Sequence, residues 1–138
     1  MASIHREVLL NAPLRDVWDA LCDIGALHTR LVPGFVVDTK LEDSARVVTF
    51  GNGSVVRELI IDVDHEHHRV CWSALSAQLT HHNASFQLFA ATASTTRGVW
   101  IADLLPHEAA APMAAMIEAG LAAMQANFSQ AGAQTQSS

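Results

Sequence analysis

The chain contains no tyrosine and only two cysteines, Cys22 and Cys71, in 138 residues. Two cysteines do not make the disulfide framework of a small secreted domain, so we expect free, buried thiols in a reducing compartment. No apolar run approaches the length needed to span a bilayer, and the N-terminal residues lack the pattern of a secretory signal. We therefore predict a cytoplasmic protein that does not insert into membranes.

Positive charge is also scarce in this sequence. Lys and Arg number 8 against 14 Asp and Glu, which gives a formal net charge of −6 and a pI near 5.6. Nucleic-acid phosphates require a basic face, and anionic membranes attract basic segments. The charge balance therefore argues against nucleic acid and against an anionic membrane surface as partners.

Several motifs of well-understood chemistry are missing. The sequence has no glycine-rich phosphate loop before a helix and no G-x-S-x-G nucleophile elbow. His65, His67 and His68 cluster in a polar stretch, but a metal site needs three or four converging ligands with a supporting shell. We therefore predict no metal site and no other cofactor.

Half of the residues are hydrophobic and only 16 % are charged, which suits one domain with a substantial core. An apolar strand over residues 4–10 precedes Pro13, which fits the first turn of a helix. Apolar residues then recur at a spacing of three and four, as on one helix face. Gly25 interrupts this pattern, and a second short helix carries Leu27. The sequence thus predicts a strand followed by two short helices.

The middle of the chain has the pattern of a β-meander. Its β-branched and apolar segments are joined by short polar turns, of which Gly51-Asn52-Gly53 is the strongest. Connections this short indicate antiparallel pairing. The predicted strands cover residues 35–41, 45–50, 55–63, 68–75, 84–92 and 98–105.

From about residue 108 the composition changes to Ala, Met, Leu and Glu. Apolar residues recur at helical spacing up to Phe128, which predicts one long amphipathic helix. The following residues are rich in Gln, Ser, Ala and Gly. We assign residues 1–128 to a single domain and expect residues 129–138 to form a disordered tail.

Several short motifs, taken in this order, resemble the SRPBCC superfamily. They are the opening segment 11–34, the Asn52-Gly53 turn followed by Arg57-Glu58-Leu59, Trp100 six residues before Pro106, and Gly120-Leu121 in the final helix. This superfamily contains the START-like and birch-pollen-allergen-like helix-grip domains, and the polyketide cyclase/dehydratase-like branch is the most similar. The resemblance implies an α+β helix-grip fold. A curved antiparallel sheet of about six or seven strands would wrap round the long C-terminal helix, with two short helices after the first strand.

The resemblance also implies a cavity for a small hydrophobic molecule between the sheet and the helix. Methionine is flexible and polarizable, which suits an adaptable wall. Gly120 either leaves room for a ligand or lets another element approach the helix closely, and the methionines either line a pocket or fill the core. The helix residues assigned to ligand binding are Met113, Met116, Ile117, Gly120, Leu121 and Met124.

Glu58 is the most informative polar residue, because it lies in the middle of an apolar strand where a carboxylate is costly to bury unless it is paired. Alternation alone would place Arg57, Leu59 and Ile61 inside and Glu58 outside. The resemblance implies the opposite, since the matching glutamate of the hormone-receptor branch faces the ligand. We prefer the inward orientation and assign Glu58 to catalysis and to ligand binding.

Histidines supply the remaining polar candidates. One of His81 and His82 is expected to point inward by strand alternation, and His82 is the predicted catalytic partner of Glu58. His28, Ser73 and Trp100 complete the predicted ligand-binding set, together with His81 and His82.

Three functions fit these residues. The first is proton-transfer chemistry of the cyclase/dehydratase type on a bound hydrophobic molecule, with Glu58 as the base. The second is a non-catalytic carrier or sensor of a lipid-like ligand. The third is a structural or dimerisation domain whose cavity has collapsed, and we leave a homodimer open in all three.

Overall fold

Seven strands form one antiparallel sheet in the order β1-β7-β6-β5-β4-β3-β2. The computed structural model describes residues 2–137 and the side chains of residues 2–129. This architecture confirms the predicted α+β helix-grip fold. The strands are β1 (Ala2–Leu10), β2 (Val36–Glu42), β3 (Ala45–Phe50), β4 (Val55–Asp64), β5 (Arg69–Leu75), β6 (His81–Ala90) and β7 (Thr96–Leu105).

Two short helical segments connect β1 to β2, as predicted. Helix α1 covers Leu14–Leu21 and begins directly after Pro13, whose carbonyl accepts hydrogen bonds from the N–H groups of Asp16 and Val17. A π-helical turn follows at Leu27–Leu31. Val17, Leu21, Leu27 and Leu31 are all buried, so both segments close one end of the interior.

The long C-terminal helix α2 covers Ala110–Ser137 and follows a 3-10 turn at His107–Ala109. Ile117, Met124 and Phe128 bury one side of this helix in the core. Arg6 of β1 pairs with Glu118, and Asn127 donates to the carbonyl of Arg30 in the π-helical turn. Helix α2 is thereby held at the β1 side of the sheet, and space remains between it and strands β3–β6.

Strand β4 contains a bulge that changes which face its residues occupy. Its pairing with β5 shifts register between Ile60 and Asp62, and Ile61 is 56 % exposed. A bulge inserts one unpaired residue and reverses the alternation beyond it. Glu58 and Ile60 therefore face the interior before the bulge, as Val63 does after it. The outward orientation that simple alternation suggested for Glu58 is wrong for this reason.

None of the described helices combines the length and the apolar character needed to cross a membrane. Both cysteines are free thiols. Helix α2 continues to Ser137, through most of the segment 129–138 for which the sequence predicts a disordered tail. The side chains from residue 130 onward lie outside the described residues.

Candidate functional site

A cavity of about 1320 Å³ lies between the inner face of the sheet and α2. Strands β3–β6, the π-helical turn, the loop after it and the first half of α2 all contribute to its wall. Small-molecule pockets usually enclose roughly 300–1,000 Å³, so this interior has room for a sizeable ligand. A cavity of this volume does not agree with the alternative of a collapsed interior.

Arg46 and Glu58 form a buried ion pair on the sheet side of this cavity. They lie directly opposite each other on β3 and β4, and Arg46 Nε donates to Glu58 Oε1 at 2.8 Å. Their side chains are only 5 % and 10 % exposed. Both residues line the cavity, so the pair places a positive and a negative group at the same point of an otherwise apolar wall.

Two further contacts hold the Arg46 guanidinium in place. Its Nη1 lies 3.4 Å from the carbonyl oxygen of Ile24, and its central carbon lies 5.7 Å from the ring centre of Trp72. A guanidinium over an indole gains cation–π attraction. These contacts fix the orientation in which Arg46 meets both Glu58 and the cavity.

His82 is another buried polar group of the cavity wall. It is 7 % exposed, and its Nδ1 accepts a hydrogen bond from the backbone N–H of Ala74 at 2.9 Å. Burial, and to a lesser extent the neighbouring His81, lowers the pKa of His82 to about 4. The ring is therefore neutral near pH 7. Because Nδ1 is the acceptor, the ring proton resides on Nε2.

Five aromatic rings also contribute to the cavity wall. Trp72 and Trp100 meet edge to face with ring centres 5.6 Å apart, and Phe86 approaches Trp100 at 5.9 Å. Phe35 and Phe50 form a second edge-to-face pair at 5.4 Å. All five residues line the cavity. Trp100 belongs to the predicted ligand-binding set, whereas the other four rings do not.

Helix α2 supplies the opposite wall. Met113, Met116 and Met124 line the cavity as expected. Ile117 and Leu121 are buried in the core and do not belong to its lining. A Cβ placed on Gly120 would lie 3.1 Å from the ring of Phe35 and 3.3 Å from that of Trp100. Gly120 therefore does not leave room for a ligand; it lets two cavity-lining rings pack against the helix.

Three other predicted ligand-binding residues lie outside the cavity lining. His81 alternates with His82 and is exposed on the outer face. Ser73 alternates with Trp72 and Ala74, and its hydroxyl donates to the carbonyl of His82 at 2.6 Å. His28 Nδ1 instead lies 3.1 Å from the hydroxyl of Thr39. The predicted residues that the structure brings together are thus Glu58, His82, Trp100, Met113, Met116 and Met124.

The histidines of the β4–β5 turn serve other contacts. His65 and His68 each meet the Trp18 ring edge to face at 5.4 Å, and His67 pairs with Asp64 at 2.8 Å. Over the described residues, no group of three or more His, Cys, Asp or Glu side chains is arranged to hold a metal ion.

Sequence reasoning missed Arg46, although the sequence carries a signal for it. The predicted turn at 51–53 is centred on Asn52, and Arg46 and Glu58 are each six residues from that centre. An antiparallel hairpin with this centre places the two residues opposite each other, as observed. Opposite charges at such positions are a stabilising cross-strand pair.

The sheet, the long helix and the cavity between them define the fold of START-type helix-grip domains, which confirms the predicted resemblance in architecture. The protein XoxI from Bacillus cereus has a TM-score of 0.83 with this chain at 18 % identity, over 93 % of this chain and 96 % of that one. A START superfamily protein from Mycobacterium smegmatis has a TM-score of 0.73 at 12 % identity, over 93 % and 97 % of the two chains.

The Zhui aromatase/cyclase from Streptomyces has a TM-score of 0.70 at 18 % identity, over 94 % of each chain. The TM-scores establish a shared fold. At identities this low the comparison shows the fold alone, and a shared fold does not fix function. No family model matches the sequence, and no curated protein matches it either.

Proposed function

We propose that this protein binds a small, predominantly apolar molecule in the cavity between the sheet and α2. The observation that carries this proposal is the composition of the cavity wall. Apolar side chains, including five aromatic rings and three methionines, make up most of it, and Arg46, Glu58 and His82 supply buried polar groups from the sheet. Ligand sites typically combine an apolar lining with a few placed polar groups that fix orientation.

A fluorescence titration with the neutral probe phenylnaphthylamine tests this proposal. Ala74 lines the cavity on β5, next to Glu58 across the strand pair. We expect Ala74→Phe to fill this part of the cavity and to weaken probe binding at least about tenfold. Leu75→Phe is the matched control, because Leu75 is the next residue and is exposed. Equal binding by both variants would place the probe elsewhere.

Proton-transfer catalysis is a second candidate, favoured by the presence of Glu58 and His82 in one apolar cavity. Glu58 Oε1 accepts from Arg46, which leaves Oε2 to take a proton from a bound molecule. His82 presents a neutral Nε2–H, which would hydrogen-bond a ligand carbonyl as negative charge develops on its oxygen. A carrier has no need for this combination of a base and a neutral donor.

The catalytic candidate is tested by deuterium exchange into β-tetralone, an aromatic ketone with acidic α-protons, followed by NMR. We expect the protein to accelerate exchange and Glu58→Gln to abolish the acceleration while tetralone affinity changes by no more than a few-fold. An unchanged exchange rate in Glu58→Gln would eliminate Glu58 as the base. Binding without any acceleration by the wild-type protein would favour the carrier function instead.

A further inference from the structure

Building on the proposed binding function, we propose that Glu58 determines ligand specificity by charge. By occupying Arg46 it makes the cavity select apolar molecules that carry an uncharged hydroxyl or carbonyl group, and reject carboxylates. Glu58 thus acts as an internal competitor for the site at which an acidic ligand would otherwise bind.

The Arg46 guanidinium already has two partners within the protein. The Glu58 carboxylate lies on the Nε edge of Arg46 at 2.8 Å, and the backbone carbonyl of Ile24 faces Nη1. Arg46 and Glu58 are both on the cavity wall and both are nearly inaccessible to bulk solvent. The positive charge of Arg46 is therefore already balanced before any ligand enters.

Among the described lining residues, no positive charge is left to balance an acidic ligand. Of the described residues that line it, Arg46 alone carries a permanent positive charge, whereas Glu58 and the mouth residue Glu108 are both acidic. His82 is neutral near pH 7 and adds no positive charge. A ligand carboxylate would bring a second negative charge beside Glu58 with no unpaired cation to compensate it. Burying a charge in that way is costly.

The hydrogen-bonding groups that remain suit an uncharged polar group. His82 Nδ1 accepts from Ala74, so its Nε2–H is a donor for a carbonyl or hydroxyl oxygen. Glu58 Oε2 is an acceptor for a hydroxyl proton. A hydroxyl group satisfies both roles without changing the net charge of the site.

Two fluorescent probes of equal ring size, anthracenemethanol and anthracenecarboxylate, test the inference at pH 7. We expect wild-type protein to bind the alcohol at least about tenfold more tightly than the carboxylate. In Glu58→Gln, Arg46 loses its partner and becomes available to the ligand. The ratio of carboxylate to alcohol affinity should then rise by at least about tenfold.

Two further variants separate local pairing from other effects. Glu58→Asp keeps the negative charge in the cavity and should keep the preference for the alcohol. Glu42→Gln removes the same charge from an exposed ion pair with Arg57, so it controls for net charge and should leave the ratio unchanged.

Equal affinity of wild-type protein for the two probes, or an unchanged ratio in Glu58→Gln, would overturn the inference. If Glu58→Gln does not fold, the affinity ratios of wild type and Glu58→Asp still test the inference. Both proteins must bind the alcohol more tightly than the carboxylate, and a preference for the carboxylate in either one would overturn the inference. If neither probe nor phenylnaphthylamine binds any variant, the proposed binding function itself fails, and the charge selection fails with it.

Discussion

At the scale of single residues, Arg46 and Glu58 illustrate how a polar group is kept inside an apolar interior. Each ion loses hydration worth several kcal/mol on burial, and the contact of 2.8 Å between them offsets part of this cost. A buried pair of this kind is seldom more stabilising than apolar residues of similar volume. Removing one partner alone is far worse, because the remaining charge has no counterion.

We expect Glu58→Leu to lower the free energy of unfolding by about 3–5 kcal/mol, measured by urea denaturation. The double variant Arg46→Met with Glu58→Leu should recover most of this loss, because both charges are then absent. Glu42→Leu is the control, since the exposed pair of Glu42 with Arg57 contributes less than about 1 kcal/mol. A loss in Glu58→Leu no larger than in Glu42→Leu would contradict the prediction.

His82 should make the stability of the protein depend on pH. Its pKa is 6.5 in the absence of perturbation and about 4 in the folded protein. Between these values the unfolded chain binds a proton that the folded protein does not, so the free energy of unfolding decreases as pH falls from 6.5 to 4. Above pH 6.5 and below pH 4 this group adds no further slope. The total effect is on the order of 3 kcal/mol.

Urea denaturation over this pH range tests the role of His82. His82→Gln should reduce the slope of stability against pH, whereas His81→Gln should keep most of it, because burial is the larger cause of the shift and His81 is exposed. The same slope in wild type and His82→Gln would show that other groups control the pH dependence.

At the scale of the elements, β4 shows a feature that the sequence pattern does not predict. Its location and length were predictable from a run of β-branched residues, but its inward face was not. The bulge at Ile61 reverses the alternation within the strand. Even-numbered residues face the interior before it, and odd-numbered residues face the interior after it. A bulge depends on how β4 pairs with the neighbouring strand β5, and no local pattern in residues 55–63 indicates it.

Gly98 on β7 has no side chain, and this leaves room for the ring of Phe86 on the neighbouring strand β6. A Cβ at this position would lie 2.5 Å from Cζ of Phe86 and 3.3 Å from Val8, and Phe86 is 1 % exposed. We expect Gly98→Ala to lower the free energy of unfolding by about 1–3 kcal/mol. Thermal or urea denaturation measures this loss.

The cause of the Gly98→Ala loss can be isolated with a double-mutant cycle. Phe86→Leu shortens the side chain that the new methyl group would meet, so Gly98→Ala should cost less in that background than in wild type. Equal costs in both backgrounds would show that contact with Phe86 is not the reason for glycine at position 98.

At the scale of the whole molecule, the sequence was sufficient to predict the architecture and the presence of a cavity, but not the packing around that cavity. Hydrophobic periodicity and turn residues act locally, and they predicted the element order, the antiparallel sheet and the long helix. The position of α2 is set by distant contacts such as Arg6 with Glu118 and Asn127 with Arg30. The closeness of Gly120 to Phe35 likewise requires the packed structure, which explains why the sequence left two roles open for this glycine.

Occupation of the cavity should stabilise the entire domain. A ligand that binds only the folded state at one hundred times its dissociation constant contributes about 2.7 kcal/mol. For a chain of 138 residues, this corresponds to a rise in Tm of roughly 8 °C. Differential scanning fluorimetry with phenylnaphthylamine should show a shift that grows with probe concentration in wild type and is lost in Ala74→Phe. A shift retained in that variant would contradict binding at this position.

Strands β3, β4 and β6 carry Arg46, Glu58 and His82, whereas α2 carries Met113, Met116 and Met124 on the facing wall. In the proposed function, the strands would recognise the functional group of a ligand and the helix would accommodate its shape. Substitutions on the helix and on the strands should have nearly additive effects on binding free energy where they share no neighbours. Such a protein can acquire a differently shaped ligand during evolution while it keeps the same chemistry toward that ligand's polar end.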